Sequence, residues 1–441
     1  MRSSSWLALI QAARVLSGLL VGIIVIRHLG PTEYGALALA LSLSGFFSAF
    51  GTLGLPRVFL QELVLPRTEP RTLLSSALVL QIVSGLIGLI GTWFLCVAFD
   101  QPDNITVMAV VFALAFLMNG GVLFQQLFLS QHKVNRSAAA NLIGLSLSLL
   151  YRILGVWLKA PVAWFAVANI IQNVVVLIAS VGLALPIIRE LKGGLRPQTQ
   201  AIRRLLVGAA PLFVASLLHG IPLYSDRVLI GTYLTIEDVA LYAVLLQLIT
   251  IPSMLISSFI GGASPRLLLK LERLDEADND QDVALTLSVA TGASTLMLVG
   301  VTLIAPVLMP IIYGADFQVS PWLFAIMSVG IVANVPSALR YEFLLTQNRQ
   351  LLATMIGGLH AILTVTLQIF FITQFGLVGA ATAYALQWII HAALLNYLFP
   401  TLAPYRRVYW RSLFHGLTLL PLLNFLFDLL REKTILVQRD D

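Results

Sequence analysis

The chain has 441 residues, 58% of them hydrophobic and only 11% charged, with a mean hydropathy of +0.90. A soluble domain carries about 25% charged residues and a single core stops growing near ~250–300 residues, so this composition excludes a water-soluble enzyme or binding module. The net charge of +6 calls for no nucleic acid, because the basic residues flank apolar runs, where anionic lipid headgroups attract them.

Apolar runs long enough to cross a bilayer, about 20 residues each, follow one another along the chain. They fall at 6–27, 36–60, 72–99, 105–129, 137–158, 161–188, 205–234, 239–269, 283–312, 319–346, 351–373 and 376–399. The runs do not alternate with polar residues, which predicts helices rather than a barrel. A thirteenth run, Ser412–Leu430, is interrupted by Pro421 and Asp428 and is compatible with a span, a re-entrant segment or an interfacial helix. The most polar stretches, Arg189–Arg204 and Lys270–Asp282, are short enough to be loops. The expected fold is therefore an all-α polytopic membrane protein.

The distribution of basic residues sets the expected orientation. With a cytoplasmic N-terminus, the inner loops hold Arg57, Arg67, Arg71, Lys133, Arg136, Arg189, Lys192, Arg196, Arg203, Arg204, Arg266, Lys270, Arg273, Arg349, Arg406, Arg407 and Arg411. The outer loops then hold only Arg27 and Lys159, with acids at Asp100, Asp103, Glu237, Asp238 and Asp316. The tail residues Arg431, Lys433 and Arg439 fit twelve spans and would break the rule with thirteen. The single Cys96 lies within a span and has no intrachain partner, and no cleavable signal is apparent.

No HExxH, GxSxG, P-loop or dinucleotide fingerprint occurs, and the six histidines are scattered. No metal or cofactor is expected. The Asp278-Asn279-Asp280 pattern reads as part of a solvated acidic loop. No outer loop is long enough to house a catalytic region, which argues against a membrane-embedded glycan polymerase or transferase and for a protein that is not an enzyme.

Two internal echoes suggest a repeat. LGPTEYGALALAL (29–41) resembles YLTIEDVALYAVLL (233–246), and PVAWFAVANIIQ (161–172) resembles GLVGAATAYALQ (376–387). The offsets imply two parallel lobes of six spans, at 1–195 and 196–400, with 401–441 as an extra hydrophobic segment and tail.

Several stretches also resemble a known family. Arg27, Leu29, Gly30, Pro31, Tyr34 and Gly35 match the first-loop signature of bacterial polysaccharide-lipid flippases. Asp226, Gly231 and Tyr242 match a signature around the seventh helix, although Ala240 stands where a second Gly is usual. PIIYGADF (310–317) and FGLVGAATAYALQ (375–387) resemble late-lobe signatures. This resemblance, to the multidrug/oligosaccharidyl-lipid/polysaccharide exporter superfamily, implies two six-helix lobes around a central cavity. It also implies an O-antigen-type flippase that turns a polyprenyl-pyrophosphate-linked oligosaccharide across the inner membrane. Partners would be that anionic lipid-linked glycan, membrane lipid, and a glycan polymerase or other assembly proteins. The alternative within the superfamily is a cation-coupled multidrug exporter. In physical terms, Gly30-Pro31 would turn the chain, and Gly376, Gly379, Ala380 and Ala381 would admit a close neighbouring helix.

An ionisable residue inside a span is a functional candidate by default. Arg14, Arg152, Arg227 and Arg340 qualify, each costing roughly 2.5–3.5 kcal/mol at a helix centre. Gln11, Arg14, Gly18 and Gly22 share one helical face, and Asn141, Gly144, Ser148, Arg152 and Gly155 share another. Both faces suit the wall of a wet cavity. The four arginines are expected to offer cationic stations to a pyrophosphate, since the guanidinium fork binds phosphate oxygens and stays charged. Competing expectations are snorkelling for Arg152 and Arg227, an acid partner for Arg227, and pairing with Glu342 or a helix cap for Arg340. Asp226 and His219, seven residues apart, are candidates for a coupling ion or for local pairing. Asn119, Asn169, Gln172 and Asn173 are candidates for sugar hydroxyls or interhelical bonds, and His219, His360 and His391 are expected to be hydrogen-bonded packing residues rather than proton relays.

Overall fold

The computed structural model describes the backbone of residues 2–65, 68–274 and 277–427, and the side chains of 17–65, 68–274 and 280–427. No strand occurs among the described residues. The helices are α1 (Arg2–Gly45), α2 (Leu55–Val64), α3 (Pro70–Ala98), α4 (Asp103–Met118), α5 (Gly121–Ser130), α6 (Val134–Trp157), α7 (Val162–Glu190) and α8 (Thr199–Tyr233). They continue as α9 (Ile236–Glu272), α10 (Ala277–Tyr313), α11 (Pro321–Asn334), α12 (Arg340–Thr346), α13 (Gln350–Ile389), α14 (Leu395–Leu398) and α15 (Ala403–Leu417).

Among the described residues, nine helical stretches are long and apolar enough to cross a membrane, or ten if one bent pair counts as a span. Two helices turn within their length. α1 bends at Gly30 (φ 71), and Pro31 then opens the next helical segment, where a missing N–H costs nothing. α13 bends at Gly376 (φ 58). The stretch Gln350–Leu398 has 49 residues, about 74 Å if straight at 1.5 Å per residue, against a hydrocarbon core of about 30 Å. The bend at Gly376 folds that length back on itself. Gly379 then lies so close to the Phe371 carbonyl that no Cβ fits between them, and Ala380 and Ala381 are buried.

The thirteenth run is not one helix. α15 ends at Leu417, Leu419 takes a left-handed φ of 60, and helix resumes over 420–427. Residues 428–430 of that run lie outside the described residues.

The chain divides into two compact units, 1–240 with 312–317, and 241–311 with 318–441. In the first unit, Leu55, Phe59, Leu73, Leu74, Leu127, Phe128, Ile187 and Leu205 form one core across α2, α3, α5, α7 and α8. In the second, Leu271, Leu287, Leu339, Phe343, Ile356, Tyr405 and Val408 draw α9, α10, α12, α13 and α15 together. The acidic stretch expected to be a loop is instead the start of α10, and it is tied down in this unit: Lys270 pairs with Asp282, and Arg407 approaches Asp280 at 4.0 Å. Asp278 and Asn279 fall outside the described side chains.

Candidate functional site

The second apolar run of the first unit is a broken helix. α1 stops at Gly45, a short turn covers Ser48–Gly51, Gly54 takes a left-handed φ of 66, and α2 begins at Leu55. The two halves meet at 67°. A break at membrane depth frees backbone carbonyls that lipid cannot satisfy. Gln81 Nε2 donates to Gly51 O at 2.6 Å, Asn119 Nδ2 to the same oxygen at 3.0 Å, and Ser84 Oγ to Phe50 O at 2.7 Å. Asn119 thus commits an amide donor to the break. Gln81 and Ser84 were not singled out in the sequence, although two polar residues three apart on one helix face were the available signal.

α8 packs across this break, with the Tyr224 ring against Gly45 and Phe213 edge-on to Phe50 at 4.9 Å. Asp226 on α8 is 2% exposed. Its Oδ1 accepts a bond from Arg227 Nε at 3.1 Å and from the Arg227 backbone N–H at 2.7 Å. Arg227 also donates to the Leu223 carbonyl, and its guanidinium lies 5.8 Å from the Tyr224 ring centre. A buried carboxylate needs such a partner in an apolar setting. His219 is exposed, so the structure does not place it in the buried environment of Asp226, and Pro222 intervenes between them.

Arg152, on α6, is half-buried, and its Nε has no hydrogen-bond partner among the described residues. The small polar face expected to share a cavity wall with it is instead a packing face. Gly144 lies against Val176 and the Gln172 carbonyl, Ser148 Oγ donates to Ala168 O at 2.9 Å, and Gly155 lies against Trp164. These residues are small because α6 and α7 approach closely, which periodicity cannot distinguish from a wet surface. Tyr151 and Trp164 stack at 4.4 Å beside them. Asn173 is half-buried and donates to Asn169 O at 2.9 Å and Asn169 Oδ1 at 3.0 Å, one turn back on α7. Arg14 and Gln11 lie outside the described side chains. On their helix face, Gly18 meets nothing within 4 Å.

Arg340, in the second unit, is 4% exposed. Its Nη1 donates to His391 O at 2.6 Å and Asn396 Oδ1 at 3.0 Å, and its Nη2 lies 2.7 Å from His391 Nε2. The backbone over Ile390–Leu394 is a π-turn, which leaves carbonyls out of the ordinary ladder. The guanidinium caps that irregularity, the second of the two alternatives expected for it.

Three separated signature segments meet in the first unit. Thr32 Oγ1 donates to Glu237 Oε1 at 2.7 Å, Gly35 lies against the Ile236 backbone, and Gly231 against Leu39. Residues 312–317, from the third segment, belong to the same compact unit, and the Tyr313 ring lies 6.0 Å from the Phe317 ring. Among the described residues, no group of three or more His, Cys, Asp or Glu has metal-binding geometry.

Comparison with known proteins agrees with this architecture. None of the curated proteins matches in sequence. Solved structures match over nearly the whole chain. An inward-facing multidrug resistance MATE family transporter of the MOP superfamily aligns at TM-score 0.68 and 13% identity, covering 90% of this chain and 95% of its own. The lipid II flippase MurJ, in an inward closed conformation, aligns at 0.64 and 14%, covering 93% and 92%. The bent form of the Vibrio cholerae MATE transporter VcmN aligns at 0.55 and 11%, covering 93% and 96%. The family model described as polysaccharide biosynthesis protein matches residues 1–267. With more than half its length matched, the chain belongs to the polysaccharide biosynthesis protein family, and it carries the fold of the MOP-superfamily transporters.

Proposed function

We propose that this protein flips a polyprenyl-pyrophosphate-linked oligosaccharide across a bacterial inner membrane, with its N-terminus cytoplasmic. The observation that carries this reading is a polysaccharide-biosynthesis family match on a transporter fold. Twelve crossings in two six-helix lobes follow if α1 and α13 each cross twice, at their bends. The likeness of 29–41 to 233–246, the two openings of the sequence repeat, supports that pseudo-symmetry. Transport would proceed by alternating access, with the glycan-pyrophosphate head in a central cavity and the prenyl tail in lipid.

Arg152 is the strongest candidate for the pyrophosphate, because its Nε keeps an uncommitted donor. Arg14 remains a candidate from the sequence. Arg227 and Arg340 have intramolecular partners that a substrate would share or displace. The protein acts as a transporter and not as an enzyme, and glycan-assembly proteins are its natural partners.

The deciding experiment reconstitutes the protein in vesicles with a fluorescent lipid-linked oligosaccharide and follows its exposure in each leaflet. Movement between leaflets is expected. Failure with several glycans, together with efflux of an organic cation, would overturn the reading in favour of a drug exporter.

A further inference from the structure

The bend at Gly376 brings two segments of one long helix side by side, and their shared seam is polar. His360 on the first segment stacks on His391 beyond the bend, with ring centres 4.1 Å apart and planes at 27°. Trp388 touches both rings, at 5.0 Å from His360 and 5.7 Å from His391. One turn nearer the bend on each segment come Thr364 and Gln387, both 0% exposed. Among the described residues, Thr364 Oγ1, both amide atoms of Gln387 and Trp388 Nε1 have no hydrogen-bond partner. Gln368, a further turn along, is also buried. Packing alone does not account for so many unmet donors and acceptors in an apolar unit, since each costs free energy unless water or an ion meets it.

Among the described residues the seam between the two segments of α13 holds no carboxylate, which disfavours a metal cation. It does hold two imidazoles. Arg340 can only donate, so His391 Nε2 must accept from it and the His391 proton lies on Nδ1. The other titratable or charged groups on elements packed around the pair are Tyr341 and Glu342 on α12, Tyr384 on α13, Tyr397 on α14, and Tyr405, Arg406, Arg407, Tyr409, Arg411 and His415 on α15. Tyr405 and Tyr409 donate to Pro336 O and Ala333 O. α11 carries no titratable residue. On α10 only Asp278, Asp280 and Asp282 are charged, all near its start, and on α9 the charges Glu237, Asp238, Arg266, Lys270 and Glu272 lie toward its ends.

We infer that the His360–His391 pair is a proton-binding site of the second unit, reached through water held by Thr364, Gln368 and Gln387. One hydrogen ion from solution bonds to an imidazole nitrogen lone pair, and no bond between heavy atoms changes. Two stacked cations at 4.1 Å repel, so the pair takes one proton. A proton on His391 Nε2 removes the acceptor used by Arg340 and loosens its hold on the π-turn at Ile390–Leu394. The consequence for transport, that a proton gradient biases the second unit, rests on the proposed transporter function. Proton binding itself does not.

The test reads Trp388 directly, because a protonated imidazole quenches a neighbouring indole. Fluorescence of the full chain in lipid nanodiscs is titrated from pH 8 to 5, around the ordinary imidazole range near ~6.5. The Trp388→Phe protein is subtracted to isolate the Trp388 signal. A loss of that signal on acidification is expected, and so is its absence in a folded His360→Gln/His391→Gln double variant. A flat Trp388 signal, or the same transition in the folded double variant, overturns the inference. If the double variant does not fold, the comparison of wild type with Trp388→Phe still decides. In vesicles, imposing a pH gradient should change the rate of glycan flipping, and a sodium gradient at constant pH should not. Cargo that moves while Trp388 stays silent defeats the proton site alone. A titrating Trp388 with no cargo moving under any gradient defeats the transport reading alone.

Discussion

Thr32 Oγ1 donates a 2.7 Å hydrogen bond to Glu237 Oε1, 205 residues along the chain. One helical turn away, Gly35 approaches the Ile236 backbone so closely that a Cβ would collide with its carbonyl. This contact explains the glycine: backbone meets backbone, and any side chain must push the segments apart. Gly35→Ala should lower thermal stability in detergent, by about 1–3 kcal/mol if it behaves as an overpacked core site. Gly261→Ala, where nothing lies within 4 Å, should be neutral or stabilising by up to about 1 kcal/mol through helix propensity. Equal melting temperatures for the two variants would contradict the close approach.

Asp226 and Arg227 form an adjacent pair of which the acid is the buried member. Removing either charge alone should be worse than removing both. In a double-mutant cycle on stability, Asp226→Asn and Arg227→Gln should show a coupling of about 0.5–3 kcal/mol. Additive losses would mean that the pair has no mutual role in folding.

Arg340 joins α12 to the π-turn at Ile390–Leu394 through three acceptors on two residues. Arg340→Met should leave those acceptors unmet, at about 1–3 kcal/mol for each buried one. Arg340→Lys should recover only part of the loss, because an ammonium lacks the planar fork. The check is the melting temperature of purified protein. Full recovery by lysine would show that charge, not geometry, is what matters.

Arg152 offers the clearest separation of function from folding. Its guanidinium Nε meets no partner among the described residues, so Arg152→Gln should fold normally. If the side chain holds a pyrophosphate, losing a charge-assisted bond of about 1.5–3 kcal/mol should weaken cargo handling roughly 10- to 100-fold. Wild-type flipping in this variant would remove Arg152 from the substrate path.

Much of this was legible in the linear chain. The apolar runs foretold the helices, and Gly30-Pro31 foretold a turn that the backbone makes at Gly30. Gly379, Ala380 and Ala381 were expected to admit a close neighbour, and the Phe371 carbonyl lies against Gly379. The candidate site was harder to read. Gly144, Ser148 and Gly155 have the composition of a wet wall but pack against α7. His360 and His391 looked isolated, 31 positions apart, until the bend at Gly376 stacked them.

By itself the sequence determined the solvent of this protein and the length of its helices, because transfer of apolar side chains from water to lipid is a sum over local stretches. It also marked where the backbone must turn, because glycine and proline act on their own dihedral angles. Only the tertiary structure decided which polar residues meet: Asn119 with the carbonyl of a broken helix, Asp226 with Arg227, and Arg340 with His391. In an apolar medium each buried polar group must find a partner. Which partner it finds depends on the helix faces brought together, and a one-dimensional pattern does not contain that.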